Sequence, residues 1–238
     1  QCACRPDCGR GERSMNIIRI MRLPDVFTLL NVVFGFLAIL AAGGAWGRGN
    51  VHYALVFILL AAIADGVDGF LARKVGGSVL GADLDSLADM LSFGAAPAYF
   101  AISAFHIPPL LWPAGIFFLL CGILRLARFN VVSARGDQFF EGLPIPAAGI
   151  ALSASVLLGR PAMTVALMLL LALLMASSIS YPKIRELWVM AMLGAIFLGV
   201  GVYLYIEENI IRAALVIIAL IAAYLASPVV VSRIRKKR

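Results

Sequence analysis

The 238-residue sequence predicts an all-helical bundle that crosses a membrane many times. Three observations carry that prediction. Hydrophobic residues make up 62% of the chain and charged residues only 14%, far from the balance of a soluble domain. The mean hydropathy is +0.98. The apolar stretches run for about 20 residues, the helical length set by a hydrocarbon layer about 30 Å thick.

In chain order, residues 1–13 read as a disordered leader, upstream of a natural start at Met15. Cys2, Cys4 and Cys8 crowd it without the fourth Cys or His that a structural metal site needs. The leader has no apolar core of a signal peptide. Cys121 falls within a span and reads as packing, so no disulfide framework is implied. Residues 14–23 place Arg19 and Arg22 among apolar neighbours, the pattern of an amphipathic segment on the membrane surface.

Pro24 opens the membrane domain, 24–232, with its motif-bearing core over 24–148. About eight spans are predicted: 26–43, closed by Gly43 and Gly44; 51–72; 79–103; 110–132; 147–159; 161–179; 187–206; and 210–231. Residues 233–238 form a basic tail. Threading the spans puts every one of the 20 Lys and Arg residues on one side except Arg48, Arg160 and Arg212. That side is predicted to be cytoplasmic. The formal net charge of +7 therefore reflects membrane topology and anionic headgroups, not nucleic acid. Nor do the two halves repeat one another as a transporter's would.

Four carboxylates break this apolar background, and an acid at membrane depth is a functional-site hypothesis by default. Asp65 and Asp68 are spaced i,i+3, and Asp85 and Asp89 are spaced i,i+4, so each pair shares a helix face. One short basic turn, Arg73 to Ser78, separates the two helices and brings both pairs to the same end of the membrane. Such a nest of charge calls for hard cations such as Mg²⁺, Mn²⁺ or Ca²⁺. Gly66, Gly69, Ala72 and Gly81 keep the facing surfaces bare for close approach. With Arg73 and the amide-rich turn beside the acids, the set suits a pyrophosphate: metals bridge its oxygens and one carboxylate takes a proton from an attacking alcohol. Asp89 is the natural candidate for that base, although spacing alone does not choose among the four.

The run Asp65-x2-Asp68-Gly69-x2-Ala72-Arg73-x7-Gly81-x3-Asp85-x3-Asp89 resembles the signature of the CDP-alcohol phosphatidyltransferases at all eight positions. These membrane enzymes displace CMP from a CDP-linked lipid with an alcohol. Leu23-Pro-Asp-Val-Phe-Thr28-Leu-Leu-Asn31, Leu84 through Ala98, Leu124-Arg-Leu-Ala-Arg128-Phe-Asn130 and Gly142-Leu-Pro-Ile-Pro146 look like the phosphatidylserine synthase branch. Together they cover about residues 23 to 148; the last third of the chain carries no motif. Archaeal relatives that make archaetidylserine share these patterns.

The resemblance implies metal binding by Asp65, Asp68, Asp85 and Asp89, with two Mg²⁺ or Mn²⁺ ions per site and Asp89 as proton acceptor. It implies contact of Thr28, Asn31, Gly69, Ala72, Arg73, Ser78 and Gly81 with the CDP-lipid. It also implies a homodimer in the cell membrane whose active site faces the cytoplasm, taking CDP-diacylglycerol or CDP-archaeol and L-serine. Asp83 lies outside the pattern and reads as a solvated acid favouring its helix's dipole. For the serine carboxylate the nominees are Arg125 and Arg128, because guanidinium forks suit carboxylates. Glu141 is the nominee for its ammonium. The competing acceptors are glycerol phosphate and inositol phosphate, which would use Arg125, Arg128 and Arg135. The competing class, a cation channel or transporter, calls for acids near the bilayer midplane rather than close to one surface.

Overall fold

A computed structural model of the chain describes residues 20–45, 47, 52–105, 108–134, 140–177 and 180–181. Among them the fold is helical apart from two strands of two residues each. Four segments are long and apolar enough to cross a membrane: Leu23–Ala42, His52–Val75, Gly81–Ala104 and Pro109–Val132. They correspond to the first four predicted spans. The leader, the amphipathic segment 14–19, the spans at 187–206 and 210–231, and the basic tail lie outside the described residues.

Helix α1, Leu23–Ala42, starts where Pro24 can sit without forfeiting a hydrogen bond. The Asp25 carboxylate accepts the Arg22 backbone N–H at 2.7 Å, satisfying an otherwise orphaned donor. Pro24, Asp25, Thr28, Asn31, Gly35 and Ala38 form its buried face, and the large apolar residues between them face outward. Helix α2, His52–Val75, packs along α1 and ends on Gly76, whose φ of 88° provides the left-handed close that a side chain would resist. Arg73 and Lys74 occupy its last turn, where cations complement the helix dipole.

The third span is not one regular helix. Helix α3, Gly81–Asp89, passes into a π-helical turn, Met90–Ala95, and then into α4, Ala96–Ala104. Pro97 supplies a cause: it has no N–H to give to the carbonyl four residues back, that of Phe93, and its ring crowds that carbonyl. The backbone of Gly149 lies against the same carbonyl, so closely that an added Cβ would come within 2.6 Å of the Phe93 oxygen.

Helix α5, Pro108–Ala134, is followed by β1, Phe140–Glu141, then α6, Ile145–Val156, α7, Pro161–Ala176, and β2, Ser180–Tyr181. β1 and β2 pair antiparallel, Phe140 with Tyr181 and Glu141 with Ser180. Helices α6 and α7 occupy the predicted spans at 147–159 and 161–179 but do not confirm them as full crossings. At about 1.5 Å per residue they are roughly 18 and 24 Å long, short of a bilayer crossing. Residues Ala148 through Val156 are all buried, so α6 is apolar because protein surrounds it, not lipid. Ser155 and Thr164 close this hairpin with paired side-chain bonds beside Gly159.

The core is one cluster running from Ala38 and Ile58 through Phe93, Phe100 and Phe118 to Leu152 and Met168. It buries the inner faces of all the helices except α3, whose polar inner face carries the acids.

Candidate functional site

Antiparallel α2 and α3, joined by the turn Gly76–Leu80, carry the four aspartates. Carboxylate oxygens of Asp65, Asp68 and Asp85 all lie within 4.8 Å of one another, with Asp68 buried and the other two half-buried. The carboxyl groups of Asp65 and Asp85 come within hydrogen-bonding reach. Two ionised carboxylates hold that distance only with positive charge between them. Asp89 is a helical turn further along α3, outside this triad, and is almost fully buried. Its Oδ1 and the Oδ2 of Asp68 have no hydrogen-bond partner. The donor set is all oxygen, crowded and incompletely satisfied, which fits a hard divalent cation. Asp83, by contrast, is exposed in the first turn of α3.

A cation of α5 faces the acids from across the bundle. Arg125 of α5 lies close enough to interact electrostatically with Asp65, Asp85 and Asp89. Its guanidinium also sits 5.5 Å from the centre of the Phe129 ring, which orients it. Arg128, one turn on, is occupied elsewhere: its Nη2 donates to the backbone oxygens of Met175 at 3.3 Å and Ser177 at 2.8 Å. It therefore caps the C-terminus of α7, where orphaned carbonyls and the helix dipole both favour a cation. Gly142, with a φ of 84°, lies hard against that cap. The backbone of Glu141 is placed in β1, next to the same junction.

The residues expected on the CDP-lipid divide into two groups. Gly69 and Arg73 stand at the mouth. A Cβ on Gly69 would meet only Arg73 Nη1, at 3.5 Å, which is ordinary contact, so the protein itself does not require glycine there. Ala72 is on the same turn, half-buried. Ser78 and Gly81 belong to a second group built around Asp25, a residue to which the sequence reading gave no role. Asp25 is buried, and its Oδ1 accepts the Ser78 hydroxyl at 3.0 Å. A Cβ on Gly81 would lie 3.4 Å from both Asp25 Oδ1 and Ser78 Oγ. Asp25 thus pins the turn between the two acid-bearing helices to the start of α1. A fifth acid directly after a span-opening proline was the available signal.

Thr28 and Asn31 lie on the inner face of α1 and are both buried. The Thr28 hydroxyl reaches the Asp68 carboxylate, and it also lies 3.3 Å from the Pro24 oxygen. Asn31 is fully buried, yet neither its Oδ1 nor its Nδ2 has a partner. Two further polar contacts were not foreseen. Ser92, in the π turn, donates to the backbone oxygen of Asn31 at 3.0 Å. Asn130 of α5 bonds Ser86 of α3 at 3.0 Å.

A family model described as CDP-alcohol phosphatidyltransferase matches residues 21–201. The archaetidylserine synthase of Methanothermobacter thermautotrophicus is 39% identical over 176 residues, covering 71% of this chain and 72% of that protein. The CDP-diacylglycerol–serine O-phosphatidyltransferase of Methanocaldococcus jannaschii is 41% identical over 170 residues, covering 71% and 77%. The protein of the same name from Bacillus subtilis is 32% identical over 167 residues, covering 69% of this chain and 92% of its own.

Proposed function

The chain belongs to the CDP-alcohol phosphatidyltransferase family, and from that premise we propose that it transfers a phosphatidyl or archaetidyl group from a CDP-linked lipid to L-serine, releasing CMP. The observation that carries the reading is the oxygen triad of Asp65, Asp68 and Asp85 with Asp89 buried beside it. The names of the relatives supply the acceptor.

Asp65, Asp68 and Asp85 would hold a divalent metal, Mg²⁺ or Mn²⁺, and Asp89 would serve with them for a second ion. A metal held there would supply positive charge to the pyrophosphate and to the departing nucleotide. Arg73 and the open backbone at Gly69 receive the diphosphate at the mouth. Asp25 keeps the Gly76–Leu80 turn at the height that this contact needs. Asp89 accepts the proton of the serine hydroxyl as its oxygen bonds to the lipid-bearing phosphorus. The bond from that phosphorus to the CMP oxygen breaks, and CMP leaves with the electron pair. Arg125 takes the serine carboxylate while Arg128 caps α7, and Glu141 is assigned to the ammonium. The positive-inside bias favours a cytoplasmic mouth in the cell membrane, and the assembly we infer is a homodimer.

The test is CMP release by purified protein in detergent with CDP-diacylglycerol or CDP-archaeol, Mn²⁺, and serine, glycerol 3-phosphate or inositol phosphate. Serine-dependent release that Asp89→Asn abolishes is the expected result. Release with a phosphorylated acceptor alone overturns the choice of acceptor and leaves the family standing.

A further inference from the structure

Asn31, put on the CDP-lipid by the resemblance, moves to the acceptor, an assignment that rests on the serine-transfer reading. Asn31 is fully buried, and both its side-chain Oδ1 and Nδ2 are unpaired among the described residues. A buried amide in that state is costly unless something else completes it.

Its surroundings fix where the missing partner sits. On α1, Thr28 meets Asp68. Three residues further on, α1 has descended about 4.5 Å, the same step that separates Asp68 from Asp65 on antiparallel α2. Asn31 therefore stands at the depth of Asp65. From the other side, its backbone oxygen is tied to Ser92, one turn below Asp89. Gly35 lets the two helices close at that point, since a Cβ there would overlap the Ser92 hydroxyl. Asn31 and Asp89 are thus two buried polar groups, both incompletely bonded, flanking the inner end of the acid cluster.

We propose that Asn31 and Asp89 together seat the acceptor alcohol at the inner end of the cluster. Asp89 takes the hydroxyl proton, and Asn31 Nδ2 donates to the same hydroxyl oxygen and aims its lone pair at phosphorus. Asn31 Oδ1 accepts from a donor on the adjacent carbon. A carboxamide presents one donor and one acceptor side by side, which matches a small alcohol bearing an amino group on the neighbouring carbon. Serine has that arrangement, and 3-hydroxypropionate keeps the hydroxyl and carboxylate without the amine.

Asn31→Ala and Asn31→Leu are compared with the wild-type enzyme in full-length protein in detergent. Serine-dependent CMP release by the wild type is measured first, because its failure would sink the serine reading and not this assignment. With that release in hand, Asn31→Ala raises the KM for serine by about tenfold or more, the loss of one to two hydrogen bonds. The KM for the CDP-lipid stays within about twofold, and the preference for serine over 3-hydroxypropionate falls. Without substrate, Asn31→Leu unfolds at or above the wild-type temperature, because it removes an unpaired buried amide. A raised KM for the CDP-lipid with an unmoved KM for serine would overturn the proposal in favour of a nucleotide contact. Lower unfolding temperatures in both variants, with neither KM altered, would overturn it in favour of a packing role.

Discussion

Asp85→Asn should stabilise the protein without metal and destabilise it relative to wild type with metal. The three carboxylates of the triad lie within 4.8 Å of one another. At an effective dielectric of about 20, each ionised pair at that distance repels by roughly 3.5 kcal/mol. Removing Asp85 abolishes two of the three pairs, roughly 7 kcal/mol in the bare Coulomb limit. Asp65 and Asp85 are half-buried, so water screens part of this, and bound protons relieve more. If about a third survives, about 2 kcal/mol, the unfolding midpoint moves by about 4–8 °C for a chain of this size.

The assay is thermal unfolding in detergent, in excess EDTA and in millimolar Mn²⁺, for wild type and Asp85→Asn. In EDTA the variant should melt about 4–8 °C higher. In Mn²⁺ the order should reverse, because a ligand that binds only the folded state stabilises it in proportion to its affinity, and the variant has lost a ligand. A variant that is less stable than wild type by the same margin in both conditions would refute the reasoning. It would mean that Asp85 is held by the fold and not by a cation.

Arg125→Met should raise the KM for serine while Arg128→Met lowers the unfolding midpoint by several degrees, because only the second removes the cap on α7; kinetics and melting of the pair separate the roles. Asp25→Ala should cost about 2–4 kcal/mol, two charge-assisted hydrogen bonds less what water restores, read as a lower midpoint together with a higher KM for the CDP-lipid. Gly149→Ala should cost about 1–3 kcal/mol by overpacking against the Phe93 backbone, and should lower kcat more than either KM. Circular dichroism melts and initial rates at saturating substrate check it.

The parts of the site legible in the sequence are those made by near neighbours. Spacing on two helices across a short turn predicted one nest of Asp65, Asp68, Asp85 and Asp89; the structure brings the first three together and leaves Asp89 one helical turn away. Asp25 was not legible: its partner Ser78 lies 53 positions away, and an acid after a proline reads equally well as a local cap. Arg128 was nominated with Arg125 because guanidinium forks suit carboxylates, but the carbonyls it serves lie 47 and 49 positions on, and sequence spacing carries no sign of them. Hydropathy does not distinguish a helix buried in protein from one buried in lipid, and α6, 12 residues long and buried from Ala148 to Val156, shows the difference. The π turn had one local sign, Pro97, and its other half is the approach of Gly149 from a distant helix.

This division has a physical consequence. The ionised acids repel one another, so the cluster opposes its own assembly unless positive charge or protons neutralise it, and contacts outside it help to fix the heights of its members. Such contacts include Asp25 on the turn, Arg128 at the end of α7, and Gly149 beneath the π turn that follows Asp89. Each is buried or half-buried and joins segments far apart in the chain. Asp89 depends on this frame most, because it stands outside the triad in which Asp65, Asp68 and Asp85 meet. The frame also accounts for the irregular third span. A straight helix through Pro97 would rotate Ser92 and Phe93 relative to Asp89, breaking either the Ser92 bond to α1 or the seat of Phe93 on Gly149. The extra residue in the π turn lets both contacts form while Asp85 and Asp89 keep one regular helical face toward Asp65 and Asp68.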